Sequence, residues 1–562
     1  MQLTRHRSGA VAADGGPAPD GVEVTVRETP TGFSWRVVNG TGAPVALRCV
    51  RAVLSARGVR GRVRMFSHGR SSSSRCGLLR PGVDVDPAAG ALAGWSVAAH
   101  HADGRPAPAD ELRSELVVAL ADDDGGVVAG FLGGDLHDGT FRYGPGRTGN
   151  ELVAEAFLGG AVLRAGEERP LHEVWLTRGD DPVGDLEGWS AEAGRRAAAR
   201  VRGPHQVIWS SGPHLGGELR ERTILAELDR AGQWPLDVFR VEGGLAADAA
   251  DRGLGGLSFP SGPGAMAHAV ASAGLRPGLG LAPFLAVRDA AVIAAHPDWL
   301  AGDLDGGPLV GALRGGGELL YVLDTSHPEV LEHLEALGAE LVDLGFTHFS
   351  LAELRAPALP GRFHDPGRTP AQRVRLGLDA LRRGVGDAVT LATTDAPLGP
   401  CIGAVDVLRT GPEAAGWFEP DDALWPDAGY RATVPAVRNA WRNAMGRAHQ
   451  HRRLWQGDPG RLHLRTGGTE LDEAQLHGWA RLVAATGGPV TVSDHLGEIP
   501  ASGRRLLEEV IAVGRRVDAA ARAAGPPRCE DLLTAATPTT LAGPEGRFVG
   551  DSDRGAGRWE GS

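Results

Sequence analysis

The sequence predicts an α/β protein, a (β/α)8 TIM barrel preceded by an N-terminal antiparallel β-sandwich. Three observations lead there. Residues 22–175 carry short β-branched runs bounded by Gly, Asp or Asn, among them "GVEVTVRE", "GFSWRVVNG", "VALRCVRAVL", "ELVVALAD" and "GVVAGFLGG", the pattern of a sandwich. Near Asp180 the periodicity turns helical in "DPVGDLEGWSAEAGRRAAARV". Strand-like and helix-like runs then alternate, as parallel α/β folds require.

The barrel strands are expected in "HQVIWS", "LDVFRVE", "RPGLGLAP", "FTHFSLAE", "AVTLAT", "VDVLRTG", "RRLWQG" and "PVTVSD", with helices such as 219–231 and 370–384 between them. Eight such strands fit a closed barrel, whose chemistry stands at the C-terminal strand ends. The connection 284–345 is too long for one crossover and is expected to fold over the barrel mouth. The expected division is a disordered segment 1–20, a sandwich domain 21–180, a barrel 181–500, and a short helix with a disordered polar tail over 501–562.

The totals exclude several classes. A net charge of −12 argues against a nucleic-acid partner. No run approaches the roughly 18 apolar residues of a membrane span, and the N-terminus lacks the apolar core of a secretory signal. Cys49, Cys76, Cys401 and Cys529 lie far apart without metal-ligand spacing, so thiols in a cytoplasmic protein are expected, with no metal. The sequence contains no lysine, which removes Schiff-base and phosphate-loop chemistry. No cofactor is expected.

The segments "RPGLGLAPF", "HPDWL", "LDTSHPEV", "ALPGRFHDP", "APLGP", "VRNAWRNAMGRAHQHRRLW" and "GDP" follow one another in an order that resembles the melibiase-type α-galactosidases, family 36 of the glycoside hydrolases. The resemblance covers residues 180–500 closely and the N-terminal region loosely. It implies a sandwich, a barrel and a C-terminal β domain, cleaving terminal α-galactosides with retention through two aspartates. In that chemistry one carboxylate attacks the anomeric carbon and the other protonates the leaving oxygen. A small-molecule glycoside is the implied ligand, and a homo-oligomer is compatible with it. The C-terminal β domain is expected to be truncated, because 525–562 shows no series of alternating strands.

The departures from the family pattern concentrate where sugar would bind. The family's nucleophile ends a Lys-Leu-Asp strand, and here the stretch is Ser350-Leu351-Ala352. Paired aspartates on the second strand are replaced by Glu242-Gly243, and Trp-Cys-Ser-Trp-Tyr on the first by Trp209-Ser210-Ser211-Gly212-Pro213. Gly-Leu-Trp on the third becomes Gly278-Leu279-Gly280, Gly-Cys-Gly after the fifth becomes Thr393-Thr394-Asp395, and the sandwich loop Gly-Trp-Gln-Ser-Trp becomes Gly69-Arg70-Ser71-Ser72-Ser73. Losing aromatic faces removes much of a sugar site's contact area. Packing motifs such as "HPDWL" and "RNAWRNA" are kept.

Glu413 follows Arg409 at the family's acid/base spacing and is the candidate acid/base. Glu353 and His348 are candidate substitutes for the missing nucleophile at Ala352. His348 shares its strand face with Ala352, whereas Glu353 would need a bulge to turn inward. Trp209, Glu242, Asp395, Arg409, Asp458 and Asp494 are candidate substrate contacts, with Asp324 also near the mouth. His364 and Asp365 are read as loop structure, and His449 and His451 as pointing apart. Three readings stand: a non-catalytic descendant of the α-galactosidase fold, a glycosidase with relocated carboxylates, and an enzyme for another small molecule in room opened by Gly212, Gly243 and Gly280.

Overall fold

The computed structural model describes residues 1–87, 100–146, 149–212, 219–242, 259–314, 317–425 and 428–561. The N-terminal region is a β-sandwich of a five-stranded and a seven-stranded antiparallel sheet. Alternate residues of the facing strands meet in one core, where Phe33, Trp35, Phe131 and Phe141 are buried. The first residues are not disordered: Gln2–Ala12 is an edge strand paired with Val45–Arg57. An edge strand takes its stability from backbone pairing on one side and needs few apolar side chains, so its composition resembles a tail.

The barrel strands are β1 (Val207–Ser210), β2 (Val238–Val241), β3 (Arg276–Leu281), β4 (His348–Leu351), β5 (Thr390–Thr393), β6 (Val407–Arg409), β7 (Gln456–Asp458) and β8 (Val490–Val492). Seven fall within the runs that the sequence marks, the seventh strand overlaps its run and ends one residue beyond it at Asp458, and all pair in parallel around the barrel. Strand β7 closes the ring in two pieces. Gln456–Asp458 bonds to β6, and after Pro459-Gly460 the short strand Arg461–Leu462 bonds to β8. Proline cannot donate to a ladder, and Gly460 takes a φ of +130° that bends the strand between its partners.

Pleat alternation sorts the strand residues. Gln206 and Thr390 lie on opposite sides of the barrel, and the Gln206 amide reaches the Thr390 hydroxyl across the lumen at 3.4 Å. Register pairing carries the inward face from Ser210 through Arg240, Gly278 and His348 to Thr390. The intervening residues, Trp209 among them, face the surrounding helices.

The 284–345 connection forms a three-stranded sheet of Leu285–Val287, Val310–Arg314 and Glu318–Val322 before the helix Pro328–Asp343. The glycine-rich segment 243–264, which reads as a loop because it lacks the strand–GxGxxG–helix spacing of a dinucleotide fold, lies outside the described residues as far as 258. The helix Gly262–Ser272 begins within its remainder.

The expected disordered tail is a folded sheet. Arg528–Cys529, Thr540–Gly543, Gly546–Asp551 and Ala556–Gly561 pair antiparallel behind the helix Ala501–Ala524. Phe548 is fully buried with its ring edge-on to Trp441, centroids 5.3 Å apart. A Cβ on Gly478 would stand 2.0 Å from the Gly555 carbonyl oxygen, so the tail lies directly on the helix Glu473–Thr486. A few buried apolar residues, Cys529, Leu541 and Phe548, anchor strands in which Gly, Arg and acidic residues fill many of the other positions.

Sandwich and barrel are tied together at the mouth. The Arg70 carbonyl accepts from Leu398 N–H at 2.8 Å, and Ser71 bridges to Pro397 just beyond β5. From the helix Val437–Gly446, Asn443 donates to the Ser74 carbonyl, and Arg447 donates to the carbonyls of Ser71, Ser72, Ser74 and Thr410. The sandwich loop therefore reaches the C-terminal face, as the resemblance implies.

Candidate active site

Ala352 continues the β4 ladder, its N–H donating to the Leu281 carbonyl at 2.8 Å. By alternation its methyl lies on the inward face with Ser350 and His348. His348 does not supply a base there. It stands four residues lower, roughly 13 Å along the strand, and is completely buried. Burial first, then the charges of Arg240 and Arg276, hold its ring far below the usual histidine range and therefore neutral.

The room inferred from glycines beside β1 and β3 is filled. A Cβ on Gly212 would stand 2.8 Å from Glu242 Oε2, and one on Gly280 would stand 3.1 Å from Glu242 Cγ. Below them a Cβ on Gly278 would meet Arg240 Cβ at 2.9 Å. Arg240 Nε and Glu242 Oε1 are 2.8 Å apart, a close ion pair whose atoms are not aligned as a hydrogen bond. The glycines thus accommodate the chain's own Arg240 and Glu242 on the barrel axis; Gly243 lies outside the described residues.

Trp209 offers no face to a sugar. It is fully buried on the outward pleat, stacked on Phe239 at 4.3 Å, with its indole N–H donating to the Asp494 carbonyl. Arg409, Asp458 and Asp494 are buried and engaged. Arg409 donates to Asp458 at 3.0 Å and to Glu413 at 2.7 Å. Asp458 also accepts from Gly460 N–H at 3.0 Å, across the break in β7. Asp494 accepts from the N–H groups of Leu464 and Arg465 at 2.7 and 3.2 Å. Asp324 accepts from Ser326 and from His364 N–H, which fixes the loop holding His364 and Asp365. These residues bind the barrel rim together and leave few free groups for a ligand.

Glu413 is clamped by two guanidiniums, Arg409 at 2.7 Å and Arg461 at 3.2 Å. Burial works to raise its pKa, but Arg409 and Arg461 outweigh it and hold the carboxyl below its ordinary value. A glycosidase acid needs the reverse, a carboxyl kept protonated near neutral pH. The environment of Glu413 does not suit that role.

Sequence reasoning did not bring together two carboxylates that share Arg355 at the mouth, Glu353 and Asp395. Glu353 has a φ of +54°, a left-handed conformation that costs a non-glycine residue free energy. This takes it out of the pleat alternation without a strand bulge. Its carboxylate lies 3.2 Å from Arg355 Nη2, and Asp395, two residues beyond β5, lies 4.0 Å from Arg355 Nε. Burial, opposed by Arg355 and reinforced by Asp395, raises the Glu353 pKa. Burial likewise raises Asp395, against Arg355. No residue type announces a positive φ at a glutamate, so only the folded backbone reveals the pair.

Arg355 and Asp395 line a cleft of about 840 Å³ between the sandwich and the loops after β4, β5 and β6. Ser71 and Phe157 contribute from the sandwich, Val310 from the three-stranded sheet, and Phe363 and Tyr430 from the barrel loops. A separate cleft of about 430 Å³ lies on the β6 to β8 side, beside Trp417, Arg461, His463 and Asp494.

No family model matches the chain. Among solved structures it is similar to an α-galactosidase from Thermus thermophilus in complex with p-nitrophenyl α-D-galactopyranoside, at 24% identity and a TM-score of 0.67, over 87% of this chain and 94% of that one. It is also similar to the GH36 α-galactosidases AgaA, in complex with 1-deoxygalactonojirimycin, and AgaB, both from Geobacillus stearothermophilus. Each is 13% identical over 99% of this chain; 78% of AgaA and 77% of AgaB are covered, at TM-scores of 0.59 and 0.56. The chain has the fold of the GH36 α-galactosidases. The β-sandwich and (β/α)8 barrel expected from the sequence are both present. Among the described residues no helix is long and apolar enough to cross a membrane.

Proposed function

We propose that this chain is a glycoside-binding descendant of the α-galactosidase fold that no longer performs retaining double displacement. The observation that carries the reading is the barrel axis: a methyl at Ala352 where the fold's nucleophile stands, with Arg240 and Glu242 filling the adjacent space. A methyl cannot attack an anomeric carbon, and the double arginine clamp keeps Glu413 from acting as an acid. The ligand site moves to the cleft between the sandwich and the β4 to β6 loops. Four buried free thiols support a reducing, cytoplasmic setting.

The test is hydrolysis of p-nitrophenyl α-D-galactopyranoside by wild type, by wild type with azide, and by Ala352→Asp, alongside calorimetric titration with aryl glycosides. The expected result is binding without turnover in all three. Turnover by wild type that Glu413→Gln abolishes would overturn the reading. Rescue by azide or by Ala352→Asp would show a sugar site on the axis that had lost only its nucleophile.

A second reading, a glycosidase with relocated carboxylates, is favoured by one observation. Glu353 and Asp395 share Arg355 at the edge of the same cleft, and Glu353 is held there by a strained backbone. Strain of this kind gathers at functional sites. Hydrolysis of any aryl glycoside by wild type, lost in both Glu353→Gln and Asp395→Asn, would select it.

A further inference from the structure

The chain carries a net charge of −12, yet its main cleft is walled by arginine. Arg70, Arg355, Arg362, Arg368 and Arg373 line it, against Asp395 as the single carboxylate residue of the lining. Three of the five have partners: Arg70 with Asp138, Arg355 with Glu353, and Arg368 with Asp365. The other two differ. Arg373 is buried, stacked 3.6 Å over Phe363, and donates to the carbonyls of Pro357, Arg368 and Leu359. Among the described residues no carboxylate pairs with it, and burial pushes its pKa down to about 10. The exposed Arg362 side chain has no ion pair within 4 Å among the described residues, though its charge reaches Asp303 and helps to lower that carboxyl's pKa.

A second rank of arginines stands directly behind the cleft's backbone. Arg447 holds the carbonyls of Ser71, Ser72 and Ser74, and Arg442 holds the Ala432 carbonyl next to Thr433. Both are buried, and burial lowers both pKa values, that of Arg442 to about 9. Carbonyl oxygens satisfy N–H donors but leave the positive charge in place. In a low-dielectric wall such charges act at longer range than in water and focus a positive potential into the space they enclose.

We propose that the cleft takes a glycoside bearing an acidic substituent, a carboxylate or a phosphate or sulfate ester, with the anionic group facing Arg362 and Arg373. This rests on the glycoside-binding reading and narrows it. A planar guanidinium fork suits such oxyanions. The apolar rim of Val310, Leu359 and Phe363 is left for the ring or aglycone.

The test is calorimetric titration of the full chain with three probes: p-nitrophenyl α-D-galactopyranoside, the corresponding uronide, and the 6-phosphate ester, with inorganic phosphate as a fourth arm. The expected result is that an acidic glycoside binds at least about tenfold more tightly than the neutral one. That advantage should shrink between about 50 and about 300 mM salt and collapse in Arg362→Gln, an exposed position where folding is not at stake. The uronide and phosphate arms tell the two acidic groups apart. Equal affinity for neutral and acidic probes would overturn the proposal and leave glycoside binding standing. No binding of any glycoside would overturn both. Inorganic phosphate binding as tightly as its ester would overturn the glycoside part, and a preference unchanged in Arg362→Gln would overturn the placement.

Discussion

Arg409 Nη1 and Glu413 Oε2 stand 2.7 Å apart, and the same guanidinium donates to Asp458 at 3.0 Å. One buried cation thus joins the loop after β6 to β7, the strand that closes the barrel. Replacing Glu413 by Gln removes one of the two anions that compensate Arg409. We expect a loss of about 1–3 kcal/mol in denaturant unfolding, with no change in any hydrolytic activity the protein has. The pH dependence has a definite sign. The Glu413 pKa is depressed in the folded state, so its contribution is present above the unfolded glutamate value, about 4.3, and is lost as pH falls through the lower folded value. Glu413→Gln should flatten the acid limb of the stability curve.

Glu353 carries the opposite sign. Its pKa is raised on folding, so the unfolded chain ionises first as pH rises. Folding stability therefore falls from about pH 4.3 upward until the folded carboxyl ionises as well. Glu353→Gln should be more stable than wild type at neutral pH relative to pH 4, as read by urea midpoints at both values. Glu353→Gly should add to this by relieving the positive φ. A Gln variant with an unchanged pH slope would mean that the carboxyl is not held in its buried corner.

His101 supplies a stability window on the alkaline side. Its ring lies between Asp86 at 3.0 Å and Glu115 at 3.1 Å, all three buried. Burial opposes the charge, but the two carboxylates outweigh it and raise the pKa to about 9. This contribution is complete below the unfolded value of about 6.5 and is lost as pH rises through about 9. Wild type should lose stability on the order of 3 kcal/mol across that window, and His101→Gln should lose the slope. Because Ala102 and Gly104 line the main cleft, ligand affinity should weaken over the same range.

Arg447 tests the seam between the domains. Its guanidinium holds four carbonyls from two domains. Arg447→Lys keeps the charge but replaces a planar fork with a point donor. We expect a loss of about 2–4 kcal/mol and faster proteolytic cleavage within 69–75, while the barrel's far-UV dichroism is retained.

Much of this architecture is legible in particular residues. The β-branched runs of β1, β2, β5, β6 and β8 and the capping box Thr369–Gln372 opening the helix Pro370–Val385 follow local rules. The terminal strands were missed because pairing to an existing sheet stabilises segments whose own composition signals nothing. The site was only half legible. Ala352, as the absence of a carboxylate, could be read directly. That Gly212 and Gly280 accommodate Glu242, that Trp209 faces the helices, and that Glu413 is held by Arg461 from beyond the break in β7 are contacts between distant segments.

The sequence by itself determined the fold class, the order of the strands and the alanine at position 352, where the resemblance implies a carboxylate. These depend on the periodicity of neighbouring residues and on the chemistry of single side chains. Tertiary structure alone decided which carboxylates meet, which arginines lack an anionic partner and where the cleft lies. Those properties depend on distance and desolvation between segments such as 69–74, 353–373 and 430–447, and neither quantity is encoded in any local stretch of chain.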